Sequence, residues 1–312
     1  MPRIAAVILC YNEEPNIRHC LESVRDWCDV FVVDSGSSDR TVDICREYTQ
    51  DIFVHAYSSH AAQWQWALDN LPLQSEWVLV LDSDFVVTDE LKRQILNELP
   101  QVPPGVNGIY VRHRYVFGGG LIRFGGTKQF WLRIVRRGKV SADLSDLVDF
   151  RFVVDGETAR FKGAVVEYNR HDDDISTWIK KQDKFSLRLA VEEELRRCGM
   201  IEWNGVPRFF GNPDQRFMRL RDLWQKLPLF VRPVLYFFYR YFLMLGLLDG
   251  RAGFLYHFLQ GFWLRVVVDW KVMQLRQLGL SRDQLVELKE RMFSTRDGSV
   301  SALTSGNAEA RQ

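Results

Sequence analysis

Residues 4–14 read IAAVILCYNEE, residues 30–39 read VFVVDSGSSD and residues 77–84 read WVLVLDSD. Each stretch begins with a continuous apolar run and ends in acidic or amide side chains. Such a run is typical of a parallel strand that is covered on both faces. Between the first two stretches, Pro15 suits the first turn of a helix whose apolar stripe ends at Val24. Strands that alternate with helices predict an α/β domain with a mostly parallel, doubly wound sheet.

The same alternation continues along the chain, although it becomes less regular after residue 100. Glycines at 118–120 and 125–126 flank a loop that we expect to be flexible. The strands that the pattern predicts are Ile4–Cys10, Val30–Val33, Ile52–Val54, Trp77–Leu81, Ile109–Val116 and Phe130–Arg136. The predicted helices, besides the one after Pro15, are Thr41–Tyr48, Ala61–Leu71 and Ile175–Arg197.

Polar side chains follow the apolar runs where the strands end. In open α/β sheets, ligands bind in the crevice outside the carboxyl ends of the strands. We therefore expect one crevice to collect Asn12, Asp34, Asp39, Asp82 and Asp84.

The Asp82-Ser83-Asp84 motif is the strongest chemical signal. Two carboxylates two residues apart can hold a divalent cation through oxygen ligands while that cation bridges two phosphates. The alternative is an Asx turn or a helix N-cap, which aspartate favours in any loop. His171 could add a metal ligand, but beside three aspartates it is interpreted as a surface residue.

Two further acidic clusters border the same crevice. Asp34 ends the second strand, where a carboxylate can accept hydrogen bonds from a base or ribose. The alternative is a turn, with Asp39 capping the next helix. Residues 11–14 read YNEE, which also suits a helix start with acids near the positive end of the dipole.

The motifs V-I-L-C-Y-N-E-E, V-V-D-S-G-S-S-D-R-T and L-D-S-D, in this order and at this spacing, resemble family 2 glycosyltransferases with the GT-A fold. The resemblance is specific over residues 4–90 and looser to about residue 200. It implies that Trp66-Ala67-Leu68 belongs to the helix beneath the sugar-nucleotide donor. It also implies Mg²⁺ or Mn²⁺ as cofactor, and a nucleoside-diphosphate sugar as co-substrate.

The resemblance also implies roles for individual residues. It places Tyr11 and Glu13 near the base, Asp34 on the uracil or ribose side, and Asp39 in the nucleotide pocket. Asp82 and Asp84 become the D-x-D pair, with Asp84 favoured as the direct metal ligand and Asp82 also touching the donor.

The general base is less clearly marked. Bacterial enzymes that build lipopolysaccharide core or exopolysaccharide usually carry a Glu after the metal motif, where this chain has Phe85, and an acidic motif further on. Asp149 is the nearest acid to that second motif and is predicted to be the base; Asp143 and Asp146 are alternatives. By resemblance, the transfer inverts the anomeric centre. The Q-x-x-R-W motif of processive synthases is absent from the sequence, which favours addition of a single sugar.

Composition excludes some partners. The net charge is +1, so nothing draws the chain as a whole to nucleic acid. Five cysteines without a C-x-x-C pair fit a reducing compartment. The first apolar run is too short for a signal peptide, so we expect a cytoplasmic catalytic domain.

The C-terminal part is apolar and aromatic. Leu227–Leu248 and Phe254–Val268 contain Arg232, Arg240 and Arg265, which suggests interfacial helices with snorkelling arginines on the inner face of the plasma membrane. The alternative is a helical hairpin buried against the catalytic domain.

The predicted division is a catalytic, nucleotide-sugar-binding domain at 1–200, a membrane-associating helical extension at 201–293 and a disordered tail at 294–312. The predicted function is transfer of one sugar, from a UDP-sugar, to a glycan or lipid-linked acceptor in bacterial lipopolysaccharide or cell-surface polysaccharide synthesis. One alternative is a sugar nucleotidylyltransferase, although the first loop is acidic where that class needs glycines and a basic residue. Another is a non-catalytic membrane scaffold with a degenerate transferase fold.

Overall fold

The computed structural model describes residues 4–126, 129–144, 151–202 and 206–294. Within these ranges nine strands form one mixed sheet, and two more strands form a small antiparallel pair. The strands are β1 (Ile4–Cys10), β2 (Cys28–Asp34), β3 (Ile52–Val54), β4 (Trp77–Asp82), β5 (Phe85–Val87), β6 (Val106–Phe117), β7 (Gly120–Ile122), β8 (Gln129–Arg136), β9 (Val140–Ala142), β10 (Phe152–Val154) and β11 (Glu157–Glu167). The α-helices are α1 (Ile17–Val24), α2 (Thr41–Arg46), α3 (His60–Asn70), α4 (Asp89–Asn97), α5 (Ile175–Arg197), α6 (Pro213–Gln225), α7 (Val231–Phe238), α8 (Gly250–Tyr256), α9 (Leu264–Leu278) and α10 (Arg282–Ser294).

The first half of the sheet is parallel and runs in the order β3-β2-β1-β4. Every residue of β1 is buried, because helices cover both faces. The carboxyl ends of these strands therefore meet at one edge. Beyond β4 the order is β8-β6-β11-β5, where only β6 and β11 are parallel.

Helices pack on both faces of the sheet. On one face α1 buries Ile17 and Leu21 against the alternate β1 residues that include Ile8. On the other face α3 buries Trp64 and Ala67. The layering of a mixed sheet between helices, followed by helical C-terminal segments, confirms the predicted fold class.

The helix α5 joins the sheet to the C-terminal helices. It shares an apolar cluster with α9 and α10 that includes Val191, Val272 and Leu288. The same helix also buries Trp178 against Tyr115 and Phe117 of β6. The predicted division at residue 200 stays a prediction, and the predicted tail lies outside the described residues except for Ser294, which ends α10.

The prediction of snorkelling arginines is wrong for two of the three. Arg232 is fully buried and ion-paired with Asp269, at 2.6 Å, and with Glu193, at 2.9 Å. Arg240 is also buried. An arginine within an apolar sequence looks the same whether it extends to a membrane interface or is buried in an ion pair. Only the fold brings a buried carboxylate to Arg232.

The C-terminal helices are short and broken. The π-helical turns Tyr239–Leu243 and His257–Trp263 and the 3₁₀ turn Gly246–Asp249 interrupt them. Among the described helices, none by itself has the length and apolar character needed to cross a membrane. One pair, Val231–Leu243 with Gly246–Leu278, meets both criteria together and is bent by 70°.

Candidate active site

The loops after β1 and β2 are locked together at the carboxyl edge of the sheet. Asn12 adopts a left-handed backbone conformation with φ of 52°. Its amide oxygen accepts the Ser38 N–H at 2.7 Å, and its own N–H donates to the Ser37 hydroxyl at 2.8 Å. The two acidic stretches recognised in the sequence therefore form one connected surface.

Asp34 and Asp39 act first on the backbone. Asp34 is 2% exposed, and one carboxylate oxygen accepts the N–H groups of Gly36 and Ser37, each at 2.9 Å. Asp39 accepts the N–H of Thr41 at 3.0 Å and of Glu14 at 3.1 Å. Burial opposes ionisation of Asp39, but these hydrogen bonds outweigh it and lower its pKa. Both aspartates thus have the structural role that the sequence left open, and their predicted contacts with the donor stay predictions.

The segment that follows β11 packs against the loop after β1. His171 Nε2 lies 3.0 Å from the Asn12 carbonyl oxygen and 3.9 Å from the Glu13 carboxylate. Asn16 donates to Glu13 at 2.7 Å. Burial raises the pKa of Glu13. The His171 side chain is 39% exposed, as expected of a surface residue, and it also lies near the predicted site residue Glu13. Tyr11 is likewise 39% exposed.

The two aspartates of the D-S-D motif have opposite environments. Asp82 lies 3.1 Å from His60 Nε2 and 3.2 Å from Arg133 Nη2. Burial would raise the pKa of Asp82, but His60 and Arg133 outweigh it and hold the value at about 2. Asp82 is therefore ionised and already balanced by positively charged or polar partners.

Asp84 has no such balance. Its carboxylate accepts no hydrogen bond from any residue that the structure describes. Burial raises its pKa well above the ordinary value, and the charges of Glu167 and Asp82 raise it further. The charge of Lys181 opposes this shift in part. A divalent cation would relieve this accumulation of negative charge.

Glu167 is the main residue that the sequence analysis missed. It ends β11, as Asp82 ends β4, and its Oε2 lies 2.8 Å from His113 Nε2. The His113 ring stacks on Trp131 with a centroid distance of 3.7 Å. The position of Glu167 at the end of an apolar run, AVVE, is the sequence signal that could have found it.

A cation from α5 completes the cluster. Lys181 Nζ lies 3.2 Å from Asp172 Oδ1, whose other oxygen accepts the Tyr115 hydroxyl at 3.0 Å. Burial lowers the pKa of Lys181, but the charges of Asp172 and Asp84 outweigh it, so the pKa is raised. Lys181 is therefore charged beside Asp84.

These residues fit a metal that the substrate helps to bind. In the described ranges no group of three or more His, Cys, Asp or Glu side chains has the arrangement of a complete metal site. Mg²⁺ is commonly held by one or two carboxylates together with substrate phosphates. Asp84, with Glu167 and Asp82 near it, matches that smaller requirement.

Asp149 is the predicted base, and Asp143 and Asp146 are the alternatives. Asp149 and Asp146 lie outside the described residues. Asp143 is described and is 2% exposed, with its backbone N–H bonded to the Arg151 carbonyl oxygen at 2.7 Å.

An open cleft of about 620 Å³ lies beside the carboxyl edge. Its walls include Glu14, Arg18, Asp39, Arg170 and His171. Another cleft, of about 380 Å³, lies near the amino end of β2 and contains none of the predicted site residues. The first cleft is therefore the one that the acidic loops border.

Comparison with known proteins identifies the family. The sequence model of glycosyl transferase family 2 matches residues 5–168. The lipopolysaccharide core biosynthesis glycosyltransferase LpsC of Rhizobium meliloti (strain 1021) is 28% identical over 235 residues, which are 71% of this chain and 83% of that protein. The glycosyltransferase SunS of Bacillus subtilis (strain 168) is 33% identical over 97 residues, 30% of this chain and 23% of that protein.

Two solved structures are similar at low identity. TarS residues 1–349 of S. aureus in complex with UDP gives a TM-score of 0.41 at 14% identity, covering 90% of this chain and 93% of that one. Glucosyl-3-phosphoglycerate synthase from Mycobacterium tuberculosis in complex with Mg²⁺ and UDP gives 0.40 at 16% identity, covering 66% and 83%. The family match is the stronger finding, and because it spans more than half of the 312 residues, the chain belongs to glycosyl transferase family 2.

Proposed function

We propose that the chain is an inverting, metal-dependent glycosyltransferase that moves one sugar from a UDP-sugar to a glycan or lipid-linked acceptor. The observation that carries this proposal is Asp84, a half-buried carboxylate that has no hydrogen-bond partner among the described residues and has the acids Glu167 and Asp82 near it. Similarity to LpsC supports an acceptor in lipopolysaccharide or another bacterial cell-surface polysaccharide.

In this proposal Asp84 would hold Mg²⁺ or Mn²⁺, and Asp82 beside it would contact the donor. When bound, the cation neutralises the charge that develops on the diphosphate leaving group. The ion pair between Asp82 and Arg133 fixes the orientation of the motif. Lys181 supplies a fixed positive charge next to the same carboxylates.

The nucleoside occupies the edge formed by the first two loops. Tyr11 is exposed there and offers a ring on which a base can stack. Glu13 and Asp39 offer acceptor oxygens beside the cleft. Buried Asp34 acts by holding the turn through its backbone hydrogen bonds, which positions the neighbouring Ser37 and Ser38.

The transfer step is a single displacement. A carboxylate, for which Asp149 is our proposal, takes the proton from the acceptor hydroxyl as the hydroxyl oxygen attacks C1 of the sugar. The bond from C1 to the diphosphate oxygen breaks at the same time, so the anomeric configuration inverts. The diphosphate leaves with the electron pair.

We propose that the enzyme works as a peripheral protein on the inner face of the plasma membrane. Nucleotide sugars are cytosolic, whereas a lipid-linked acceptor lies at the membrane. The exposed apolar side chains of α7 and α8 suit such a surface.

The test is turnover with a panel of UDP-, GDP-, ADP- and dTDP-sugars, with Mn²⁺ or Mg²⁺, and with a bacterial membrane extract as acceptor. Release of the nucleoside diphosphate with one donor, abolished by a chelator, is the expected result. Nucleotide binding without turnover of any donor would contradict the proposal and favour a scaffold.

A further inference from the structure

Arg240 is a buried cation that pairs with no carboxylate of the described residues. It is 7% exposed, its Nε donates to the Gly125 carbonyl oxygen at 2.6 Å, and its Nη1 donates to the Tyr236 hydroxyl at 3.2 Å. Its Nη2 is buried and has no hydrogen-bond partner among the described residues, although the Tyr256 hydroxyl also stabilises the guanidinium. Within the described ranges no Asp or Glu pairs with it. Neutral oxygens offset only part of the cost of burying a guanidinium.

The second buried arginine of these helices shows what full neutralisation looks like. Arg232 contacts both Asp269 and Glu193. Asp269 of α9 and Glu193 of α5 therefore neutralise Arg232, whereas no described carboxylate pairs with Arg240. Arg240 therefore remains without an anionic partner in the part of the chain that the structure describes.

A second buried group beside Arg240 is also unsatisfied. His257 is fully buried, and neither ring nitrogen has a hydrogen-bond partner in the described part of the chain. Its ring lies so close to Gly125 and Gly246 that a Cβ there would come within 2.0 and 2.4 Å of it. Burial and the charge of Arg240 hold the pKa of His257 at about 4. The ring is therefore neutral at physiological pH and carries one N–H donor.

A second arginine, Arg265, acts on the same tyrosine as Arg240. Burial raises the pKa of Tyr236, but Arg240 and Arg265 outweigh it and lower the pKa below its ordinary value. No ion-pair partner for Arg265 occurs in the described part of the chain. Two arginines, one neutral histidine and a tyrosine hydroxyl are the donors that bind a phosphate.

Apolar side chains surround this cationic group on the outside. Large side chains that are more than half exposed follow one another through α7 and the turns after it: Val234, Leu235, Phe238, Leu243 and Leu248. Exposed apolar surface of this extent marks a protein or membrane contact. The positive charge of Arg240 is complementary to the anionic headgroup of a lipid whose chains would cover these apolar side chains.

The same group reaches the predicted catalytic edge. Arg240 lies over the Tyr256 ring at 5.4 Å, and that ring lies 5.3 Å from Tyr115. Burial raises the pKa of Tyr115, and the charge of Glu167 raises it further. The Tyr256 ring therefore links Arg240 to Tyr115, which lies near the acidic cluster.

We propose that Arg240, together with Arg265 and His257, binds the phosphate of a membrane lipid whose hydrocarbon chains lie on the exposed apolar side chains of residues 231–258. The inference rests on the proposed function in one respect, because it identifies a phosphate-bearing lipid as the acceptor or its anchor.

The test is co-sedimentation of the full chain with vesicles of phosphatidylcholine alone or mixed with phosphatidic acid. We expect the wild type to bind the phosphatidic acid vesicles at least about tenfold more tightly. Arg240→Gln should lose this preference, and Arg265→Gln should lose part of it. Arg93→Gln, which removes an exposed arginine of α4, should keep the wild-type preference.

Arg240 also anchors Gly125, so a thermal melt of each variant accompanies the binding measurement. A wild type that binds both vesicles equally overturns the inference, as does a folded Arg240→Gln variant with unchanged preference. Competition by inorganic phosphate as effective as that by a short-chain phosphatidic acid also overturns it, because the site would then recognise free phosphate. UDP binding measured in parallel separates failure of this inference from failure of the proposed function.

Discussion

The buried ion pairs of Arg232 give a sharp prediction of stability. Arg232 is fully buried, and its partners Asp269 and Glu193 are 1% and 7% exposed in their side chains. Arg232→Met removes the cation and leaves both carboxylates buried. Removing one partner of such a pair costs about 3–5 kcal/mol in the free energy of unfolding. Because Asp269 lies on α9 and Glu193 on α5, the loss should loosen the C-terminal helices from the sheet domain.

The assay is denaturant unfolding followed by circular dichroism, with Arg18→Met as the matched control. Arg18 pairs with Glu47 at 2.8 Å, but both side chains are exposed, and exposed pairs contribute only about 0–1 kcal/mol. If Arg232→Met costs no more than the control, the network does not hold the helices and the reasoning is refuted.

Three further substitutions test the description of the fold. His257→Gln should make the free energy of unfolding less dependent on pH below pH 7. The unfolded chain takes up a proton near pKa 6.5, whereas burial and Arg240 delay uptake in the folded chain to about 4. Acidification from pH 7 to pH 5 should therefore destabilise the wild type by about 2 kcal/mol more than the variant, and equal pH dependence in denaturant titrations would count against the buried neutral ring. Asp249→Ala removes the acceptor for two backbone N–H groups in the loop after β7; it should cost about 1–3 kcal/mol and speed hydrogen exchange in that loop, whereas unchanged protection would contradict the contact. Gly163→Ala should destabilise by about 2 kcal/mol, because a Cβ there would lie 2.4 Å from the backbone of α4, whereas Gly105→Ala meets nothing within 4 Å; equal melting temperatures for the two variants would be the contrary result.

The parallel half of the sheet could be predicted because burial on both faces leaves a clear mark. All seven residues of β1 are apolar and buried, and β4 repeats the pattern up to Asp82. The strand β11 has a mixed sequence, ETARFKGAVVE, with exposed residues at its start. Its place between β6 and β5 depends on long-range pairing, which no local pattern reports.

Only part of the candidate site could be predicted from the local sequence. Asp82 and Asp84 follow a buried strand, so their position is local information. Glu167 and Arg133 reach the same edge because β11 and β8 lie beyond β4 in the sheet order. In the same way, the partners of Arg232 are 37 or more residues away in sequence, so its burial could not be read from the apolar run around it.

The binding of UDP to wild type and to Asp84→Asn, measured by calorimetry with and without Mn²⁺, tests the central claim most directly. Asp89→Asn, which changes an exposed aspartate five residues further on, is the control. We expect Mn²⁺ to strengthen UDP binding at least about tenfold in the wild type and the control, and to have no effect in Asp84→Asn. Full Mn²⁺-dependent binding by Asp84→Asn would contradict a cation-bound diphosphate at this edge of the sheet.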